Sequence, residues 1–241
     1  MTERAYLEEL ARRIAALTGR NLVGVYAGGS FALGDYQPGR SDLDVTTVVE
    51  SRLSTEEKHT LVAATQHESL PCPARGLELV VYRRDVVEAP SAEPNFELNL
   101  NTGESMKFRL DLESDPDERH WFTLDRAILA AAGIHILGPP ARDVFRPIPR
   151  TVVIPLLRES LAWYLREEAP ADDAVLNACR ALVFAEEARW TSKPVAGEWA
   201  MRRVDDAGLV ADAIAARTSG SPIDPARARA FVESTLRRLG G

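Results

Sequence analysis

The stretch that most limits what this chain can become lies within residues 22–49. A valine-rich apolar run, Leu22 to Ala27, reads as a buried strand. Gly28-Gly29-Ser30 ends it, a loop carrying Gly34, Pro38 and Gly39 follows, and Leu43 to Val49 reads as a second strand. Asp42 and Asp44 stand two residues apart at the start of that second strand. Alternate residues of a strand point to one face, so the two carboxylates project together. Like charges that close repel each other in a partly buried site, and a divalent cation removes that cost. Mg²⁺ prefers oxygen ligands and takes one or two carboxylates plus phosphate oxygens. Glycine lets backbone N–H groups approach a ligand closely, and a run of such groups cradles an anion. Gly29 and Ser30 are therefore the candidate phosphate site, and Asp42 and Asp44 the candidate metal ligands just after it.

Each piece alone has a plainer meaning. Gly-Gly-Ser is usually a turn, and Asp-x-Asp at a strand start is usually surface decoration. Their order is the uncommon part: a buried strand, Gly-Ser, eleven residues, then Asp-x-Asp opening a second apolar strand. Neither a Walker loop nor a Rossmann Gly-x-Gly-x-x-Gly occurs. Glu78 sits in a third apolar run, residues 77–82. Its neighbours Leu77 and Leu79 face the opposite way, and a charge within an apolar strand is costly unless paired or metal-bound. Glu78 is thus a candidate second-metal ligand or general base, against the alternative of an exposed strand face.

The surroundings predict an α/β domain. Leu7, Leu10, Ala11, Ile14 and Leu17 recur at helical spacing over 3–18, with Thr2 placed to cap the start and Gly19 to end it. Residues 55–68 read as a second helix. Helix, strand, loop, strand, helix, strand implies a small mixed sheet. The proline-rich segment 138–149 reads as a linker, and beyond it residues 152–168, 173–190, 195–204, 206–217 and 225–238 all read as helices. The predicted fold class is α+β, with a mixed-sheet domain over 1–148 followed by a helical bundle over 149–241.

Composition narrows the partners. Of 241 residues, 45% are hydrophobic and 27% charged, as in an ordinary soluble protein. No apolar run approaches the roughly 20 residues needed to span a bilayer. The first residues lack a signal-peptide pattern, and Cys72 and Cys179 form no metal-type pair, so a reduced cytoplasmic setting is expected. A net charge of −7 argues against a nucleic-acid partner. The excess acid sits in residues 1–150, with 23 Asp and Glu against 17 Lys and Arg. That suits either plain solubility or a cleft that attracts a cationic substrate. His59, His67, His120 and His135 show no metal-ligand spacing.

The Gly29-Ser30 and Asp42-Leu43-Asp44 arrangement resembles the nucleotidyltransferase superfamily of DNA polymerase β. Further residues narrow the resemblance to the aminoglycoside adenylyltransferases that modify streptomycin and spectinomycin. These are Leu33-Gly34, Pro38, Ser41, the Glu78 strand, Leu137-Gly138-Pro139, Val175-Leu176 to Arg180, and Lys193-Pro194-Val195-Ala196-Gly197-Glu198-Trp199-Ala200-Met201. The resemblance implies a nucleotidyltransferase domain and a helical domain with ATP and drug held between them. It implies two Mg²⁺ ions on Asp42 and Asp44, Glu78 as the catalytic base, and Arg180 and Lys193 on the ATP phosphates. Asn177 lies three residues before Arg180 on the same helix face. Asp172 and Asp173 are the candidate acids for a cationic drug, or helix caps. Trp121 and Trp163 lie near aromatic positions of the family. The segment Asn95 to Gly103 departs from the drug-modifying pattern, and the acidic run Asp111, Glu113, Asp115, Asp117 and Glu118 suits a solvated face or an attractor of polycations.

The expected reaction is transfer of AMP from ATP to a hydroxyl of streptomycin or spectinomycin, by a monomer with neither membrane nor nucleic acid as partner. The alternatives are the same chemistry on another small molecule or a protein hydroxyl, and a non-catalytic nucleotide-binding module of antitoxin type.

Overall fold

The computed structural model describes residues 1–167 and 169–240 and divides between Ile148 and Pro149. The first unit runs α1 (Glu3–Thr18), β1 (Leu22–Ala27), α2 (Gly29–Ala32), β2 (Leu43–Val49), α3 (Thr55–Thr65), β3 (Leu77–Arg83), α4 (Arg84–Glu88), β4 (Leu98–Gly103), β5 (Met106–Asp111), α5 (Arg119–Ala132) and β6 (Ile134–Leu137). The six strands lie in the order β5-β4-β3-β2-β1-β6. Only β2 and β3 pair parallel; the other four pairings are antiparallel, which makes the sheet mixed as the sequence predicts.

Local chemistry explains the helix starts. Thr2 accepts a hydrogen bond from the Ala5 N–H and begins α1. Ser54 and Glu57 form a reciprocal capping box at α3. That helix stops at Thr65, short of residue 68, because Gln66 turns extended. Alternation along the strands then builds two cores. Leu43, Val45, Leu77 and Leu79 bury one face with Leu7, Leu10 and Ile14 of α1 and Leu61 of α3. Tyr26, Val48 and Tyr82 bury the other with Phe122 and Leu129 of α5 and Phe145. Each such aliphatic or aromatic side chain contributes about 1.5–3 kcal/mol on leaving water.

Six elements of this unit go beyond the sequence expectation: α2, α4, β4, β5, α5 and β6. In the β4–β5 hairpin, Asn99 Nδ2 donates to Asp111 Oδ2 at 2.9 Å, and Arg109 pairs with both Asp111 and Glu118. Asp115 accepts from the Asp117 N–H. Much of the acidic run therefore closes a turn instead of facing water alone.

The second unit contains α6 (Arg150–Arg166), α7 (Ala171–Glu187), α8 (Lys193–Ala200), α9 (Ala207–Ser219) and α10 (Pro225–Gly240). Among its described residues there is no strand, in line with the expected helical bundle. Glu168 and Gly241, which the expected ranges include, lie outside the described residues. Helix α7 is central and packs on the other four. It buries Val175, Leu176, Ala178, Cys179, Leu182 and Val183, and ends at Glu187 because Ala188 turns left-handed. A Cβ at Gly197 would press within 2.7 Å of the Ile214 side chain and 3.1 Å of Leu176, so glycine lets α8 seat closely. None of the described helices is long and apolar enough to cross a membrane.

Candidate active site

The parallel pairing of β2 and β3 assembles the acids. Asp44 and Glu78 are register partners, and partners across a ladder point to the same face. Asp42 immediately precedes β2, and Ser41, Leu43 and Val45 are buried while Asp42 and Asp44 alternate with them half-buried. The face that carries Asp44 and Glu78 continues to Val48 and Tyr82, over which α5 packs.

Gly28 and Gly29 close the corner beside these acids. The Gly28 N–H donates to Asp44 O at 2.8 Å, which ties the end of β1 to the start of β2. Gly29 has φ +49, and a Cβ there would overlap the Asp44 carboxylate. Only glycine fits both the backbone angle and the approach. The loop expected after β1 forms one helical turn, α2, so Ser30 stands inside a turn. Ser30 Oγ is buried and has no hydrogen-bond partner among the described residues. A buried hydroxyl left this way is costly, and an anion or metal-bound oxygen would satisfy it.

Electrostatics set Glu78 apart. Burial pushes its carboxyl up to about 8, the negative charges of Asp42 and Asp125 push the same way, and Arg75 opposes them. Asp125 and Arg75 thus belong to the electrostatic setting of the site, and neither stands out in the sequence. Arg75 Nη2 donates to Asp42 Oδ2 at 2.5 Å. Among the described residues no three His, Cys, Asp or Glu side chains close on a point that could hold a cation. Asp42 is turned to Arg75 and Asp44 lies against Gly29. The donor chemistry still fits Mg²⁺: three carboxylates share one strand end beside an unsatisfied hydroxyl, and a cation would offset both the burial and the neighbouring negative charge that raise Glu78.

The second unit gathers the other expected residues into one cluster. Asn177 Nδ2 donates to the Tyr164 hydroxyl at 2.7 Å and to Asp173 O at 3.0 Å. Arg180 Nη1 donates to Asn177 Oδ1 at 3.4 Å, and its guanidinium lies 5.9 Å from the Trp190 ring centroid. Lys193 Nζ donates to Asp173 Oδ1 at 2.8 Å. Lys193 opens α8, where the helix dipole disfavours a cation, so its position depends on a nearby anion. Arg217, from α9, brings a second cation to 3.8 Å from the same Asp173 oxygen, with its side chain 4% exposed. Asp173 therefore serves these cations within the unit, and Asp172 is buried. Sequence inspection passes over Arg217 and Tyr164. The available signal for Arg217 is a lone arginine after the small apolar run Ala213-Ile214-Ala215-Ala216.

Comparison with known proteins gives two family matches. Residues 7–99 match the family described as nucleotidyltransferase domain. Residues 143–239 match the family described as aminoglycoside adenylyltransferase, C-terminal domain. Among curated proteins, no relative matches. Among solved structures, the chain is similar to a spectinomycin adenyltransferase from Enterococcus faecialis, crystallised with ATP and spectinomycin. The two are 15% identical over 100% of each chain, with a TM-score of 0.76. At that identity the likeness shows the fold.

Proposed function

Because this chain belongs to the aminoglycoside adenylyltransferase family of nucleotidyltransferases, we propose that it transfers AMP from ATP to a hydroxyl of an aminoglycoside or aminocyclitol such as streptomycin or spectinomycin. The observation that carries this assignment is the register pairing of Asp44 with Glu78 beside Gly29 and Ser30. It sets a prospective base next to prospective cation ligands, as in-line phosphoryl transfer needs.

Each group then has a task. Glu78 takes the proton of the acceptor hydroxyl. The acceptor oxygen forms a bond to the α-phosphorus, the bond from that phosphorus to the bridging oxygen breaks, and pyrophosphate leaves. Burial and the neighbouring acids hold the Glu78 carboxyl above the usual carboxylate range, which suits a group that accepts a proton. Gly29 and Ser30 offer a close backbone approach and a hydroxyl to phosphate oxygens. Asp42 and Asp44 would hold the two Mg²⁺ ions, whose charge offsets that of the triphosphate and the departing pyrophosphate. Asn177, Arg180 and Lys193 supply the polar and cationic groups that a triphosphate requires beyond the metals. Asp173 holds Lys193 in place, and Asp172 is assigned to a cationic acceptor.

The test is pyrophosphate release from ATP and Mg²⁺, with streptomycin and spectinomycin supplied separately and Asp42→Asn as control. Drug-dependent release that the variant loses supports the assignment and identifies the acceptor. Folded protein that binds ATP but releases nothing with either drug would sink it.

A further inference from the structure

Arg75 takes no part in the chemistry above, yet its setting is built. Its backbone N–H donates to Ser41 O at 3.1 Å, and the carbonyl of the next residue, Gly76, accepts from the Leu43 N–H at 2.9 Å. These two bonds straddle Asp42 and fasten the segment before β3 to the entry of β2. The β4–β5 hairpin holds the segment from the other side. A Cβ on Gly76 would meet the Met106 side chain at 2.7 Å, and one on Gly103 would meet Arg75 O at 2.6 Å. The guanidinium therefore starts from a fixed backbone, and its Nη2 donates to Asp42 Oδ2.

Stability does not account for the contact. The Arg75 side chain is 45% exposed and that of Asp42 22%, and ion pairs this open to water contribute little. What the contact does is engage Oδ2 and so restrict the orientation of the Asp42 carboxylate. Resting on the assignment of Asp42 as a metal ligand, we infer that Arg75 is a positioning residue that orients the Asp42 carboxylate for a divalent cation. Partners of ligating carboxylates are part of how a metal site is made, because they remove the ordering cost that the cation would otherwise meet. The same positive charge offsets part of the repulsion among the clustered acids.

The experiment is direct Mn²⁺ binding to the full chain without nucleotide, read from the electron paramagnetic resonance signal of the free ion. The proteins are wild type, Arg75→Ala, Arg75→Lys, Asp42→Asn and the Asp42→Asn/Arg75→Ala double variant, each checked by thermal melting. Arg75→Ala is expected to lose about 10- to 100-fold in Mn²⁺ affinity. Arg75→Lys recovers part of that loss, and Arg75→Ala causes no further loss once Asp42 is gone. In turnover, Arg75→Ala raises the Mg²⁺ needed for half-maximal rate and leaves the acceptor KM unchanged. Unchanged Mn²⁺ affinity in Arg75→Ala overturns the inference, and tighter binding overturns it by showing that Arg75 competes with the cation. Equal binding by wild type and Asp42→Asn removes Asp42 from the ligand set, and this role of Arg75 with it. If Arg75→Ala does not fold, Arg75→Gln carries the same comparison.

Discussion

Asp44 and Glu78 are neighbours across the one parallel pair in the sheet, Cα partner to Cα partner. A slip of one residue between these strands would turn one of the acids to the opposite face, away from Gly29. The two acids nonetheless have different expected roles. Asp44→Asn removes a prospective cation ligand and should raise the Mg²⁺ requirement together with the loss of turnover. Glu78→Gln keeps the shape of the side chain and removes the base, so turnover should fall about 10²- to 10⁴-fold. ATP binding by folded Glu78→Gln, measured by calorimetry, should stay within a few-fold of wild type. A Glu78→Gln enzyme with near-normal turnover would remove Glu78 from the chemistry.

The raised carboxyl of Glu78 makes stability depend on pH in a definite direction. In the unfolded chain it titrates near 4.5, and in the folded chain it holds its proton until about 8. Between those values the native state binds more protons, so its stability falls as pH rises and the fall is complete above about pH 8. Glu78→Gln lacks this loss. Melting curves without metal should show the variant gaining on wild type from pH 5 to pH 8. A cation held by Asp42 and Asp44 favours the charged form of nearby Glu78, so Mg²⁺ should raise the wild-type Tm more at pH 8 than at pH 6. Equal Mg²⁺ shifts at both pH values would show that the metal does not sit beside Glu78.

Gly29 is tested by a single methyl group. The left-handed φ alone costs an alanine about 1 kcal/mol or more, and the new Cβ would also collide with the Asp44 carboxylate. Gly29→Ala should therefore lower stability by about 1–3 kcal/mol and reduce turnover more than Gly34→Ala. Gly34 also has positive φ, at +72, but a Cβ there meets nothing within 4 Å. Urea unfolding and rates for the two variants together separate backbone strain from damage to the acids.

How far the sequence goes depends on the range of each interaction. The order β1, Gly-Ser, β2 and the strand carrying Glu78 are legible because period-two alternation and glycine punctuation are local signals. The helical second unit is legible from its apolar periodicity. Helix α5 carries the same kind of signal, an apolar stripe of Phe122, Leu124, Ile128 and Leu129 that sequence inspection passes over, whereas its buried Arg126, which donates to the carbonyls of Val86, Ser91 and Glu93, is set by tertiary contacts. Strands β4 and β5 are not legible, because their asparagines and charges pair across the hairpin and so look like loop from the sequence alone. Arg75 becomes visible only when the backbone bonds around Asp42 are known. Arg217 needs the tertiary contact from α9 to Asp173. Both are charges placed by packing between distant segments, which no periodicity encodes.

Asp173 gives the last test, because two assignments compete for its carboxylate. An acid that grips a cationic drug should, when neutralised, raise the acceptor KM and leave ATP alone. An acid that holds Lys193 at 2.8 Å and faces buried Arg217 at 3.8 Å should do the reverse. Asp173 lies inside the first turn of α7, which has no side-chain cap, so Asp173→Asn keeps the side-chain shape while removing the charge that holds Lys193 against an unfavourable helix dipole. Its ATP KM should rise about tenfold, as loss of about 1.4 kcal/mol of phosphate contact would give, while the acceptor KM stays within twofold. Lys193→Met should produce the same ATP defect, and combining the two should add little, because both act through one contact. A selective rise in acceptor KM for Asp173→Asn would instead return this carboxylate to the drug.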